Sequence, residues 1–131
     1  MKILVIEDSL FLRRTIEKVL QNSGHEVISA ADGHTGLQAA RTTVPHMILL
    51  DIMLPMLEGT RVLQELKRDA LTAEIPVVVL SSLYQKNGER LKKDGASAYI
   101  EKSTLDLETN ADPLLQVIEK VAGELSQLHS A

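Results

Sequence analysis

Five short apolar segments recur along the chain, Lys2 to Ile6, Glu26 to Ala30, Met47 to Leu50, Val77 to Leu80 and Ala98 to Ile100. Several are continuous runs of Ile, Leu, Val and Met rather than alternations of apolar and polar residues. An alternating strand has one wet face, whereas a continuous run has both faces dry, as in a parallel sheet covered by helices on each side. The intervening stretches carry apolar residues at helical spacing, so the pattern is one of repeated strand and helix units.

The helices have legible starts and stops. Ser9 is placed to cap a first helix with Leu12, Ile16, Val19 and Leu20 on one face and Gly24 close to its end. Asp32 is placed to cap a second, carrying Leu37, Ala40 and Val44 and stopped by Pro45. A third, entered around Leu57 to Gly59, turns Val62, Leu63 and Leu66 inward. The stretch Tyr84 to Asp94 has Gly88 in its middle and little apolar surface beyond Leu83 and Leu91, which predicts a short or mobile fourth helix. A polar stretch from Ser103 to Ala111 then leads to Asp112 as a cap and Pro113 as the first position of a last helix carrying Leu114, Leu115, Val117, Ile118, Val121 and Leu125. No internal linker or repeat interrupts this series, so residues 1–131 read as a single domain whose last few residues form a tail.

Composition removes several function classes. The 131 residues contain no cysteine, which excludes disulfides and thiolate metal sites. The longest apolar runs fall far short of the roughly 20 residues that cross a bilayer. A lone Lys2 ahead of a stretch that ends in Glu7 and Asp8 is not a secretory leader. A cytoplasmic location without membrane attachment is the resulting expectation. A formal charge of −4 opposes the basic surface that direct nucleic-acid binding needs.

In an open parallel sheet the loops at the carboxyl ends of the strands gather on one edge. The first strand runs into Glu7 and Asp8, the third into Asp51, the fourth into Ser81 and Ser82, and the fifth into Glu101 and Lys102. Clustered carboxylates repel one another, and a hard divalent cation with oxygen ligands relieves them. Mg²⁺ suits Glu7, Asp8 and Asp51, because it binds through few carboxylates and keeps positions open for phosphate oxygens. A carboxylate beside such an ion can attack phosphorus, with Lys102 and Ser81 gripping the phosphoryl oxygens.

These segments, ILVIEDS at Ile3 to Ser9, ILLDIMLPMLEG at Ile48 to Gly59, VVVLSS at Val77 to Ser82 and GASAYIEKS at Gly95 to Ser103, resemble the response-regulator receiver domains of two-component signalling. The resemblance spans nearly the whole chain, in the family's order and spacing. It implies a flavodoxin-like (βα)5 fold, a doubly wound five-stranded parallel sheet in strand order 2-1-3-4-5. It further implies Asp51 as phosphoacceptor, Glu7 and Asp8 as acidic metal ligands with the backbone carbonyl of Met53 completing the shell, Ser81 as switch hydroxyl, Lys102 as phosphate lysine and Tyr99 as switch aromatic. The phosphoryl donor would be a sensor histidine kinase or a histidine phosphotransfer protein. The output would be a downstream protein met through the fourth and fifth helical segments, with a phosphorylation-dependent homodimer as a further option. Two positions depart from the family pattern: Glu58 stands before Gly59 in place of aspartate, and Ser103 follows Lys102 in place of proline. The Lys102–Ser103 peptide is expected to be trans, since a non-proline cis bond costs about 3 kcal/mol.

Other readings stand beside these. Glu7 and Asp8 could end a strand and favour the next helix N-terminus through its dipole. Ser81 could satisfy local backbone groups, Lys102 could be an ordinary surface lysine, and Tyr99 could pack at a sheet edge. The four histidines show no ligand spacing and read as structural or solvated. An aspartate-nucleophile phosphatase of the dehalogenase type would carry two aspartates separated by one residue after the first strand, which this chain lacks. A dinucleotide-binding module would need glycines where Glu7 to Leu10 stand. A pseudo-receiver interaction module would have lost part of the acidic site. With no output segment after the last helix, both a stand-alone receiver and a piece of a longer regulator fit the sequence.

Overall fold

The computed structural model describes residues 1–53, 59–81, 92–102 and 110–129, with the side chains of 125–129 excepted. In chain order these form β1 (Lys2–Ile6), α1 (Leu10–Asn22), β2 (Glu26–Ala30), α2 (Gly33–Thr43), β3 (Met47–Asp51), α3 (Gly59–Arg68), β4 (Val77–Ser81), β5 (Ala98–Glu101) and α4 (Asp112–His129). The strands make one parallel five-stranded sheet in the order β2-β1-β3-β4-β5. Every residue of β3 and β4 is buried, while the edge strands β2 and β5 are partly open. That division matches the sequence: the continuous aliphatic runs lie in the middle, and Glu26, Ser29, Tyr99 and Glu101 sit on the edges.

Because strand side chains alternate, the sheet separates two apolar layers. Leu4, Ile6, Ile48, Leu50, Val77 and Val79 pack with Leu37 and Ala40 of α2 and Val62, Leu63 and Leu66 of α3. Ile3, Val5, Met47, Leu49, Val78 and Leu80 pack with Ile16 and Leu20 of α1 and Leu114, Ile118 and Val121 of α4. Burying each such side chain contributes about 1.5–3 kcal/mol relative to exposure. No helix among the described residues is long and apolar enough to cross a membrane.

The expected caps form at two helices. Ser9 Oγ accepts the Leu12 N–H at 3.3 Å, and Asp32 Oδ1 accepts the Thr35 N–H at 2.8 Å. Gly24, at φ 90°, turns the chain out of α1, with its N–H on the Gln21 carbonyl at 3.0 Å. Two expectations change. Val44 is not on the apolar face of α2 but is its C-cap, left-handed at φ 43° and 48% exposed. The cause is Pro45, whose ring pushes the residue before it out of the helical region. At α4 the carbonyl of Ala111, not that of Asp112, accepts the first helical hydrogen bond, from the Leu115 N–H at 3.2 Å. The expected fourth helix falls almost wholly outside the described residues.

Candidate functional site

Parallel strands put all carboxyl ends on one edge. β1 and β3 are neighbours whose outgoing connections lead to opposite sides of the sheet, which is the switch point where such folds open a crevice. Glu7 and Asp8 leave β1 there, and Asp51 ends β3. The register sets Ile6 beside Leu50, Asp51 beside Leu80, and Ser81 beside Glu101. Lys102 follows at once.

The carboxylate oxygens of Glu7, Asp8 and Asp51 lie within 4.8 Å of one another. Glu7 and Asp51 are buried, at 0% and 1% exposure, while Asp8 faces outward. Lys102 Nζ stands 2.9 Å from Glu7 Oε1 and 3.0 Å from Asp51 Oδ2, an ion pair to each. Those same two oxygens have no aligned hydrogen-bond donor among the described residues, so the ammonium meets them by proximity rather than along their lone pairs. The remaining oxygens are satisfied by backbone: the Ser9 N–H donates to Glu7 Oε2 at 3.2 Å and the Met53 N–H to Asp51 Oδ1 at 3.0 Å.

Electrostatics follow the crowding. Burial, reinforced by the neighbouring carboxyls of Asp51 and Asp8 against the pull of Lys102, pushes Glu7 up to about 7. Its exposed neighbour Asp8 is held below the ordinary carboxylate range, chiefly by the hydrogen bond with Glu7. Burial alone would lower Lys102, but Glu7 and Asp51 together outweigh it and hold the ammonium above its usual value. Buried Glu7 and Asp51 together with exposed Asp8 form an acidic cluster that could hold a metal ion. The donor set is hard, oxygen-only and rich in carboxylate, which fits Mg²⁺ or Ca²⁺ and not a soft metal.

The other expected residues that the structure describes lie in or just after β3, β4 and β5. Ser81 is buried at the end of β4 and has an interaction partner of its own. Met53 presents its side chain outward, 59% exposed. Tyr99 lies two residues before Glu101 on β5, packs on the α2 and α3 side of the sheet, and has Lys92 Nζ 5.9 Å from its ring centre. Glu58, Ser82, Leu83 and Ser103, with the Lys102–Ser103 peptide, lie outside the described residues. His46 Nδ1 accepts the Lys2 N–H at 2.8 Å and His25 Nδ1 lies 3.1 Å from the Met1 ammonium, in keeping with structural roles.

Two supporting contacts are not foreseen from the sequence. Gly59, whose N–H bonds the Ile52 carbonyl at 3.1 Å, lets α3 rest on the backbone of Asp51 and Ile52; a Cβ there would lie 2.5 Å from the Asp51 carbonyl oxygen and would strike Ile52 Cα. The Gly itself was visible as a helix entry, but not what it leans on. Arg13 Nη1 donates to the Glu7 carbonyl at 2.9 Å, a reach that no spacing rule reveals.

Comparison with known proteins agrees with this geometry. The chain is 35% identical over 124 residues to the probable transcriptional regulator ycf27 of Porphyridium aerugineum, covering 92% of this chain and 50% of that protein. It thus spans about half the length of that relative. It is 33% identical over 121 residues to protein PilH of Pseudomonas aeruginosa, covering 92% of this chain and 96% of that one. In fold it is similar to the receiver domain of the sensor histidine kinase PA1611 of Pseudomonas aeruginosa, a structure with a magnesium ion coordinated in its active site cleft, at a TM-score of 0.81, 24% identity and coverage of 93% and 97%. The family model of the response regulator receiver domain matches residues 3–111. With β1, β3, β4 and β5 each ending at this acidic edge and the match running across all of them, the chain belongs to the response regulator receiver domain family.

Proposed function

We propose that residues 1–131 act as one receiver unit that takes a phosphoryl group onto Asp51 with Mg²⁺ and, once phosphorylated, changes a protein-binding surface. The observation that carries this reading is Lys102 Nζ between Glu7 and Asp51 at 2.9 and 3.0 Å, with Asp8 completing three carboxylates within 4.8 Å. Glu7, Asp8, Asp51 and the Met53 carbonyl would hold the cation, which supplies neutralising charge to the carboxylates and to phosphate oxygens. Asp51 attacks phosphorus through a carboxylate oxygen. The new O–P bond forms as the P–N bond of a phosphohistidine donor breaks, and the departing imidazole nitrogen keeps the electron pair and takes up a proton. Lys102 turns from the carboxylates to the incoming oxygens, and Ser81 offers its hydroxyl to another of them.

The donor in this reading is a sensor histidine kinase or a histidine phosphotransfer protein in the cytoplasm. The chemistry stops at self-phosphorylation and hydrolysis, without turnover of a separate substrate. Ser81 drawn to the phosphoryl group and Tyr99 moving inward would shift a two-state equilibrium whose readout lies along β5, α4 and the segment before β5. The presence together of Glu7, Asp8, Asp51 and Lys102 favours this over a pseudo-receiver. The test is incubation with acetyl phosphate and Mg²⁺ followed by intact-mass spectrometry. One phosphoryl adduct is expected on the wild type and none on Asp51→Asn; an equal adduct on the variant defeats the assignment.

A further inference from the structure

Two of the three carboxylates ride on the turn between β1 and α1, and what fixes that turn is a side chain outside the acidic cluster. The Glu7 N–H is bonded to the Ala30 carbonyl of β2 at 3.1 Å, but the pairing of β1 with β3 ends at Ile6 and Leu50. The Glu7 carbonyl therefore lies past the ladder. Arg13, half-buried, reaches it with Nη1 at 2.9 Å.

Arg13 is itself fixed, because its N–H donates to the Ser9 carbonyl at 2.8 Å in the first turn of α1. Ser9 in turn donates its N–H to Glu7 Oε2 at 3.2 Å. Glu7, Ser9 and Arg13 thus close a ring of hydrogen bonds around Asp8. The bonded carbonyl belongs to the Glu7–Asp8 peptide, so holding it sets the plane from which both carboxylates project. A backbone amide plane left to rotate would swing Asp8, which is exposed, away from Asp51.

We propose that Arg13 is a positioning residue that clamps the Glu7–Asp8 peptide and so holds the two β1 carboxylates at cation spacing opposite Asp51. The consequence for affinity rests on the reading of this site as one for Mg²⁺. Exposed Arg14, next in sequence, provides a control that loses the same charge without losing the clamp.

Mg²⁺ affinity of the full chain is measured by titration calorimetry for the wild type, Arg13→Met, Arg13→Lys and Arg14→Met. Arg13→Met is expected to bind ~10-fold more weakly, in the range of other supporting contacts around metal ligands. Arg13→Lys, which keeps a cationic donor, should recover most of that loss, and Arg14→Met should match the wild type. Amide exchange at Ser9, in metal-free protein, supplies a second readout: it should quicken in Arg13→Met and not in Arg14→Met. Unchanged Mg²⁺ affinity in Arg13→Met, or a loss equal to that of Arg14→Met, overturns the positioning role whatever happens to overall stability. If the wild type binds no Mg²⁺, the metal reading falls; quickened Ser9 exchange in Arg13→Met then still supports the clamp, and equal exchange in the two variants overturns it.

Discussion

Substituting Glu7 by glutamine should stabilise the metal-free protein at alkaline pH and leave it almost unchanged at acid pH. Glu7 is fully buried between Asp51, Asp8 and Lys102, and burial with its carboxyl neighbours carries it from an ordinary 4.5 to about 7. Between those values the folded chain holds a proton that the unfolded chain has released. Stability therefore falls as pH rises through that window, and the loss is complete above pH 7. At about 1.36 kcal/mol per pH unit the span amounts to roughly 3 kcal/mol as an upper figure, since Lys102 can shift to follow the charge. For a domain of this length that is about 10 °C in Tm. Thermal melts in EDTA from pH 5 to 8 make the comparison. His25 complicates the raw curve, because burial lowers it and so makes stability rise with pH up to about 6.5. The difference between wild type and Glu7→Gln removes that contribution. The variant should gain on the wild type from pH 5 to about 7 and hold that gain to pH 8, and Mg²⁺ at pH 8 should return more stability to the wild type than to the variant. A difference that stays flat across the range, or a variant less stable at pH 8, would refute the electrostatic account of Glu7.

Gly59→Ala should cost roughly 2–3 kcal/mol in urea unfolding, because its Cβ meets the backbone of Asp51 and Ile52 rather than a yielding side chain; a loss below about 0.5 kcal/mol would show that α3 can slide. Val44→Asn should raise stability by about 0.5–1 kcal/mol, since asparagine tolerates the left-handed conformation that valine resists and little apolar burial is lost; a lower melting point would show that Val44 packs better than its exposure indicates. Phosphorylated wild type should decay slowly in Mg²⁺, because Met53, and Leu83 at the position two after Ser81, offer no hydrogen bond to orient an attacking water. The double variant Met53→Asn, Leu83→Glu should decay about 10-fold faster, and equal decay rates would remove these side chains from control of lifetime.

Strand positions were legible because burial on both faces writes itself as an unbroken aliphatic run, and Asp51 stands out as the charge that ends one. The same reasoning located Glu7, Asp8, Ser81 and Lys102 on the edge where the structure brings them together, since parallel strands leave only one edge for their carboxyl ends. What sequence could not supply is anything that depends on distance. Adjacent Glu7 and Asp8 look alike in the sequence, yet burial raises the proton affinity of Glu7 while the hydrogen bond with Glu7 lowers that of exposed Asp8. Arg13 looks like half of a basic pair on a solvated helix; its bond to a backbone carbonyl six residues back depends on how α1 leaves the sheet. Val44 carried a local signal in Pro45 that outranks its helical spacing, and the apolar periodicity masked it.

The sheet has a further consequence, for how substitutions combine. No strand side chain belongs to both apolar layers, so a change at Ile16 is insulated by a full backbone thickness from one at Val62. Their effects should add to within about 0.5 kcal/mol. Drift in one layer then needs no matching drift in the other. The α1 and α4 side can be reshaped without disturbing the α2 and α3 side, while Asp51 and Lys102 hang from strand ends that both layers hold in place. Two independently variable surfaces around a fixed chemical centre give such a chain room to change one acquaintance at a time.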